Sequence, residues 1–237
     1  MENKDIGMEN NLKLDLIYFK MRAFAEPAQL LLSYGKLEYK YHMAWDYYGK
    51  SWEESKASIP FGQLPLLVVN DNIRIWQSGS IVRYIANIIG KNPKELDLLA
   101  KIDALFESSQ ELWQPLNMTI NFLSGDAFKK NSEIILDAFR PKLPYFSRII
   151  ENSSGPFFYG KEPYYCDFGV YHQFSFLRLL DQGLLSDFPR IIKFMEEVEN
   201  LPGVREYLDN RPELIGISSC PQLVIDGKPV STGITKD

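Results

Sequence analysis

The spacing of apolar and polar residues changes character along this chain, first near residue 91. Before that point, short runs alternate between strand and helix periods. LKLDLIYF (12–19) predicts a strand, and AEPAQLLLSYG (25–35) a helix with Pro27 in its first turn and Gly35 at its end. YKYHMAW (39–45) alternates as a second strand. LPLLVV and IRIW, parted by Asn70-Asp71-Asn72, predict a hairpin. SGSIVRYIANIIG (78–90) predicts a helix capped by Ser78 and followed by Gly90. The order β-α-β then β-β-α describes a small α/β sheet domain over residues 12–90.

After the spacer KNPKE (91–95), strand signals almost vanish. LDLLAKIDALFESSQELWQPLNMTINFL carries Leu98, Ile102, Leu105, Phe106 and Leu112 at helical spacing. SEIILDAFRPKLPYFSRIIEN predicts a helix kinked or broken at its two prolines. CDFGVYHQFSFLRLLDQG and PRIIKFMEEVENL complete an all-helical domain over residues 95–215. The last stretch, 216–237, differs again. Asp226-Gly227 between short apolar runs is a hairpin signal, and its serines and threonines suggest mobility. At the other end, residues 1–11 read as a loose polar tail.

Composition narrows the function. A 45% hydrophobic content suits a globular chain, and a net charge of -5 argues against nucleic acid, which would want a basic face. No apolar run approaches the ~18 residues a membrane helix needs, and the start has no apolar signal core. Cys166 and Cys220 form no CxxC motif, which fits a reduced, cytosolic compartment. The two histidines, His42 and His172, lie far apart in sequence. That argues against a histidine-built metal site or a Ser-His-Asp triad, leaving only carboxylate-built metal sites open. No metal is expected.

Pro65 stands in front of the apolar run Leu66–Val69, where it either starts a strand or follows a cis bond. Its neighbours supply a context. YFKMRAFAEP, WEESK, PFGQLPLL, QSGSIVRYIA and AKIDALFESSQEL occur in an order and spacing that resemble the cytosolic glutathione transferases, over roughly residues 12–215. Among their classes the chain looks most like the sigma type. The resemblance implies a thioredoxin-like N-terminal domain, an all-α C-terminal domain, a homodimer, and glutathione as co-substrate. It also implies that the bond before Pro65 is cis, with the Leu64 backbone pairing with glutathione as an extra strand.

The implied roles fall on particular residues. Tyr18, at the end of the first strand, would donate a hydrogen bond to the glutathione sulfur. A free thiol has a pKa near about 8.5, so a donor aimed at the thiolate would enlarge the nucleophilic fraction at neutral pH. Gln77 and Ser78 would hold the γ-glutamyl carboxylate at a helix N-terminus. Trp52 and Lys56, four apart on one helix face, would reach the glycyl end, and Gln63 would help hold the tripeptide. Glu111 would cross the dimer interface to the γ-glutamyl ammonium, and Phe61 would insert into the partner. Met21, Ala23, Phe24, Trp113 and Met118 would line an apolar pocket for the electrophile.

Two positions depart from the family pattern. Phe24 stands where many relatives carry an arginine near the sulfur, which removes a positive potential that favours thiolate. Tyr164 stands where a Ser or Thr would form a capping box with Asp167, so that corner must be stabilised differently. The expected activity is conjugation of the glutathione thiolate to small apolar electrophiles. The alternatives are a glutathione-dependent isomerase of the prostaglandin D synthase type, or a catalytically poor binding or structural protein.

Overall fold

The computed structural model describes residues 12–111, 113–234 and 236. The polar tail over 1–11 and Leu112 lie outside the described residues. The first part runs β1 (Leu14–Tyr18), α1 (Glu26–Tyr34), β2 (Lys40–Met43), α2 (Ala44–Tyr48), α3 (Trp52–Lys56), β3 (Leu66–Val69), β4 (Ile73–Trp76) and α4 (Ser78–Ile88). Its sheet has the order β2-β1-β3-β4, with β1 parallel to β2 and antiparallel to β3. Every residue of β1 and β3 is buried. Strands covered on both faces lose the polar alternation of a half-exposed strand, which is why β3 reads as a continuous apolar run.

Two local expectations change. Trp45, placed in the second strand by its alternation, lies in α2, because β2 ends at Met43 and the chain turns directly into a helix. Ser78 is the first helical residue of α4 and not its cap; that place falls to Gln77, whose side chain makes no capping bond.

The second part runs α5 (Leu96–Gln110), α6 (Trp113–Phe122), α7 (Gly125–Phe139), α8 (Leu143–Glu151), α9 (Tyr165–Leu180), α10 (Pro189–Glu199) and α11 (Val204–Asn210). The long apolar pattern after residue 95 is therefore two helices. The proline-containing segment breaks as expected, through a 3-10 turn at Arg140–Lys142. Most of α9 is buried, and it packs along α5. Gly169 allows that approach: a Cβ there would meet Phe106 at 2.8 Å and Ser109 Oγ at 2.9 Å.

Asp167 answers the missing cap. Its Oδ2 accepts the Tyr164 N–H at 2.8 Å and its Oδ1 accepts the Phe158 N–H at 2.9 Å. The carboxylate thus serves two amides without a side-chain capping bond from Tyr164. A second buried carboxylate, Glu26, joins the two parts. It is bound by Arg211 at 2.5 Å and by the Tyr207 hydroxyl at 2.9 Å, with Arg22 at 3.7 Å. Burial would raise the Glu26 pKa, but the guanidinium groups of Arg22 and Arg211 outweigh it and hold it below the ordinary value.

The C-terminal stretch forms a sheet that begins three residues earlier than expected, inside the segment read as all-helical over 95–215. β5 (Glu213–Ile215), β6 (Gln222–Ile225) and β7 (Lys228–Ser231) pair antiparallel in that order. Asp226 and Gly227 both have positive φ, the geometry a two-residue hairpin turn requires. Despite its serines and threonines, the stretch pairs across strands.

Candidate active site

The C-terminal end of β1 delivers Tyr18 to the floor of a cavity of about 330 Å3. Its ring is buried, and its hydroxyl accepts the Phe24 N–H at 3.3 Å. Burial pushes the phenol pKa above its ordinary value, and the Phe24 amide offsets this only in part. The phenol therefore keeps its proton at neutral pH. With its oxygen accepting from the backbone, that proton is available to a partner in the cavity.

One end of the cavity is polar. The short helix α3 is fixed by a capping box in which Ser51 and Glu54 satisfy each other's backbone amides. It presents Trp52 and Lys56, with Trp52 braced edge-on by Phe19 at 4.9 Å between ring centroids. Leu64 and Pro65 form the wall before β3, and the bond between them is cis. Gln77 takes a left-handed backbone (φ 69°), rare for a residue with a side chain, and donates through Nε2 to Gln63 Oε1 at 3.2 Å. Ser78 begins α4 beside it, so the unpaired first-turn amides of that helix lie at the same end. Lys56 is the one charged residue among the described lining residues.

The other end is mainly apolar, built from Met21, Phe24, Met118, Phe122 and Ile234 with the amides of Gln114 and Asn117. Asn117 is oriented: its Oδ1 accepts from Asn121 Nδ2 at 2.9 Å. Tyr18 lines the same cavity.

Eleven of the fourteen residues proposed from sequence line this one cavity; Ala23, Trp113 and Glu111 do not. Ala23 is fully buried and its carbonyl bonds His172 Nε2 at 3.1 Å. Trp113 is buried behind Phe24, whose ring meets it edge-on at 6.1 Å, and packs on His172 at 4.0 Å. These two support the wall from behind. Glu111 is exposed beyond the end of α5 and ion-paired with Lys142 of the same chain. Sequence reading missed Phe19, Gly62, Gln114, Asn117, Phe122 and Ile234. Gln114, Asn117, Met118 and Phe122 follow i, i+3, i+4, i+8, a single helix face that periodicity could have exposed. Ile234 has no such local signal.

Two family models match in tandem: "Glutathione S-transferase, N-terminal domain" over residues 14–87 and "Glutathione S-transferase, C-terminal domain" over 117–211. The chain is 26% identical over 206 residues to "Probable glutathione S-transferase 6" of Caenorhabditis elegans, covering 84% of this chain and 96% of that one. It is 28% identical over 201 residues to a class-mu 26 kDa glutathione S-transferase isozyme of Fasciola hepatica, covering 81% and 85%. The crystal structure of the glutathione S-transferase from Ascaris lumbricoides superposes with a TM-score of 0.74 at 25% identity, covering 85% of this chain and 98% of that one. A thioredoxin-like sheet domain followed by a helical domain is the fold these matches share. The chain belongs to the glutathione S-transferase family, and it is an enzyme of that type.

Proposed function

We propose that the cavity binds glutathione at its polar end and an apolar electrophile at the other, with Tyr18 between them acting on the sulfur. The observation that carries this reading is the Tyr18 hydroxyl on the cavity lining, protonated at neutral pH as phenols are and already accepting the Phe24 amide. In that state it donates to an anion better than to a thiol, so it favours thiolate and lowers the thiol pKa. The γ-glutamyl carboxylate lies at Gln77, Ser78 and the α4 amides, where a helix N-terminus suits an anion. Lys56 and Trp52 take the glycyl end, Gln63 holds Gln77 in place, and the Leu64 backbone pairs with the cysteinyl unit.

The thiol proton leaves to solvent, and the sulfur then attacks the electrophile. With an alkyl halide, the C–S bond forms as the carbon–halogen bond breaks, and the halide departs with the electron pair. No covalent bond to the enzyme is required. The electrophile lies against Met21, Phe24 and Met118, with Trp113 and Ala23 supporting that wall from behind.

The reading includes a homodimer. Phe61 is 74% exposed on a left-handed backbone, a large apolar side chain offered to a partner. Glu111 lies outside its own cavity and acts in the partner's site. The unpaired cysteines, Cys166 buried and Cys220 exposed, support a cytoplasmic location. The sigma placement rests on the position of Tyr18 alone, beside relatives whose names include class mu. Retention on immobilised glutathione together with a conjugation assay on an aryl or alkyl halide tests the whole reading. A chain that binds the column and yields no conjugate would instead be a binding protein.

A further inference from the structure

The apolar end of the cavity is lined in part by a segment that lies beyond the family match, which stops at residue 211. Residues 232–234 leave β7 and cross the end of α6. Thr232 Oγ1 donates to the Asn121 carbonyl, and the Thr232 N–H donates to the Pro221 carbonyl at 3.3 Å. Gly233 forms an antiparallel bridge with Lys20, in the loop that follows Tyr18. Further back, the Ser218 carbonyl accepts the Gly125 N–H at 2.9 Å, tying the sheet to the start of α7. These anchors bring Ile234 onto the lining of the cavity, with Met118 and Phe122 of α6.

Met118, Phe122 and Ile234 are 44%, 36% and 41% exposed, and all three face the same cavity. Exposed apolar side chains gathered at one mouth mark a surface that meets an apolar ligand. A cavity of about 330 Å3 sits at the low end of the range for small-molecule sites, and glutathione would fill much of it. What remains is lined by Met118, Phe122 and Ile234. Isoleucine is branched at Cβ and stiff at χ1, so Ile234 makes an unyielding edge there.

We propose that the C-terminal sheet is a strap that makes Ile234 a specificity-determining residue, restricting the enzyme to slender, unbranched apolar electrophiles. This rests on the reading of the cavity given above. The strap acts on the second substrate and leaves the glutathione end untouched, because none of its anchors involves Lys56, Gln63, Gln77 or Ser78.

The test uses the full chain and benzyl chlorides whose para substituent grows from hydrogen to phenyl. In each, the thiolate displaces chloride from the benzylic carbon. Calorimetry measures glutathione binding separately. Ile234→Ala is expected to raise kcat/KM for the bulkiest member, relative to the unsubstituted one, by about tenfold. Ile234→Trp should lower that ratio, and Thr232→Val should follow Ile234→Ala because the strap loses an anchor. All three should keep the wild-type Kd for glutathione. An unmoved ratio in the three variants, with glutathione bound normally, would overturn the strap alone. Failure of the wild-type chain to bind glutathione would overturn the reading of the cavity and the strap with it.

Discussion

Phe24 shapes this site twice. Its backbone N–H donates to the Tyr18 hydroxyl, while its side chain faces the cavity where an arginine would have supplied positive charge. Arg22, two residues earlier, does not compensate, because its guanidinium is buried against Glu26 and the Phe176 ring. On the proposed mechanism, stabilisation of a thiolate falls chiefly to Tyr18. Phe24→Arg should therefore lower the apparent pKa of the bound thiol, read by ultraviolet titration of the thiolate; a raised pKa in a folded variant would mean that position 24 does not face the sulfur. A second residue-scale effect belongs to stability. Burial pushes the His172 pKa down to about 3, with the Glu26 carboxylate opposing in part. Between that value and about 6.5 the unfolded chain binds a proton that the folded chain excludes. Stability from this residue is full above the upper value and falls with acid, by about 2 kcal/mol at pH ~5. Asp167 has the opposite sign: burial raises it to about 6, against the pull of its two amides. Its contribution is full below the ordinary aspartate range and is lost as pH rises through the folded value. The two slopes nearly cancel in the wild type between pH ~4 and ~6. His172→Gln should leave the Asp167 slope exposed, so that urea midpoints fall as pH rises across that window. A flat profile in the variant would contradict the Asp167 assignment, and a wild type that loses stability with rising pH as steeply as the variant would contradict that of His172.

At the scale of elements, what sequence carries is local periodicity and turn chemistry. The β3–β4 hairpin, the prolines that break α7 from α8, and the Asp226-Gly227 turn were all legible because each signal lies within a few residues. Ser78 and Trp45 were misplaced for a related reason: at an element's end, propensity and tertiary packing compete, and packing decided. The site was mostly legible, since Tyr18, Lys56, Gln63 and Gln77 sit in short motifs. Ile234 was not, because it reaches the cavity only through the Thr232 and Gly233 anchors to α6 and the loop after β1. The seam of α5 and α9 was also invisible, as it depends on Gly169 having no Cβ near Phe106. Gly169→Ala should destabilise the chain by about 1–3 kcal/mol through overpacking, seen as a lower urea midpoint with unchanged slope. A midpoint equal to the wild type would show that the two helices have room to part.

On the scale of the whole molecule, the two parts meet at the cavity and are clasped by Glu26 with Arg211 and Tyr207. If Glu111 acts across the interface, a mixed dimer of one Glu111→Ala subunit and one Tyr18→Phe subunit keeps one complete site. It should retain about half the wild-type activity, given independent sites. Activity near the mean of the two single mutants would assign Glu111 to its own chain. Beneath that question lies the central claim, that this fold exists to hold glutathione as a thiolate beside Tyr18. The direct measurement is a pH titration of thiolate absorbance with glutathione bound to the wild type and to Tyr18→Phe, with binding affinity measured in parallel. Loss of one charge-assisted hydrogen bond of about 1.5–3 kcal/mol should raise the bound thiol's pKa by about 1–2 units while affinity is largely kept. Coincident titration curves at equal affinity would contradict the account and remove Tyr18 from the chemistry.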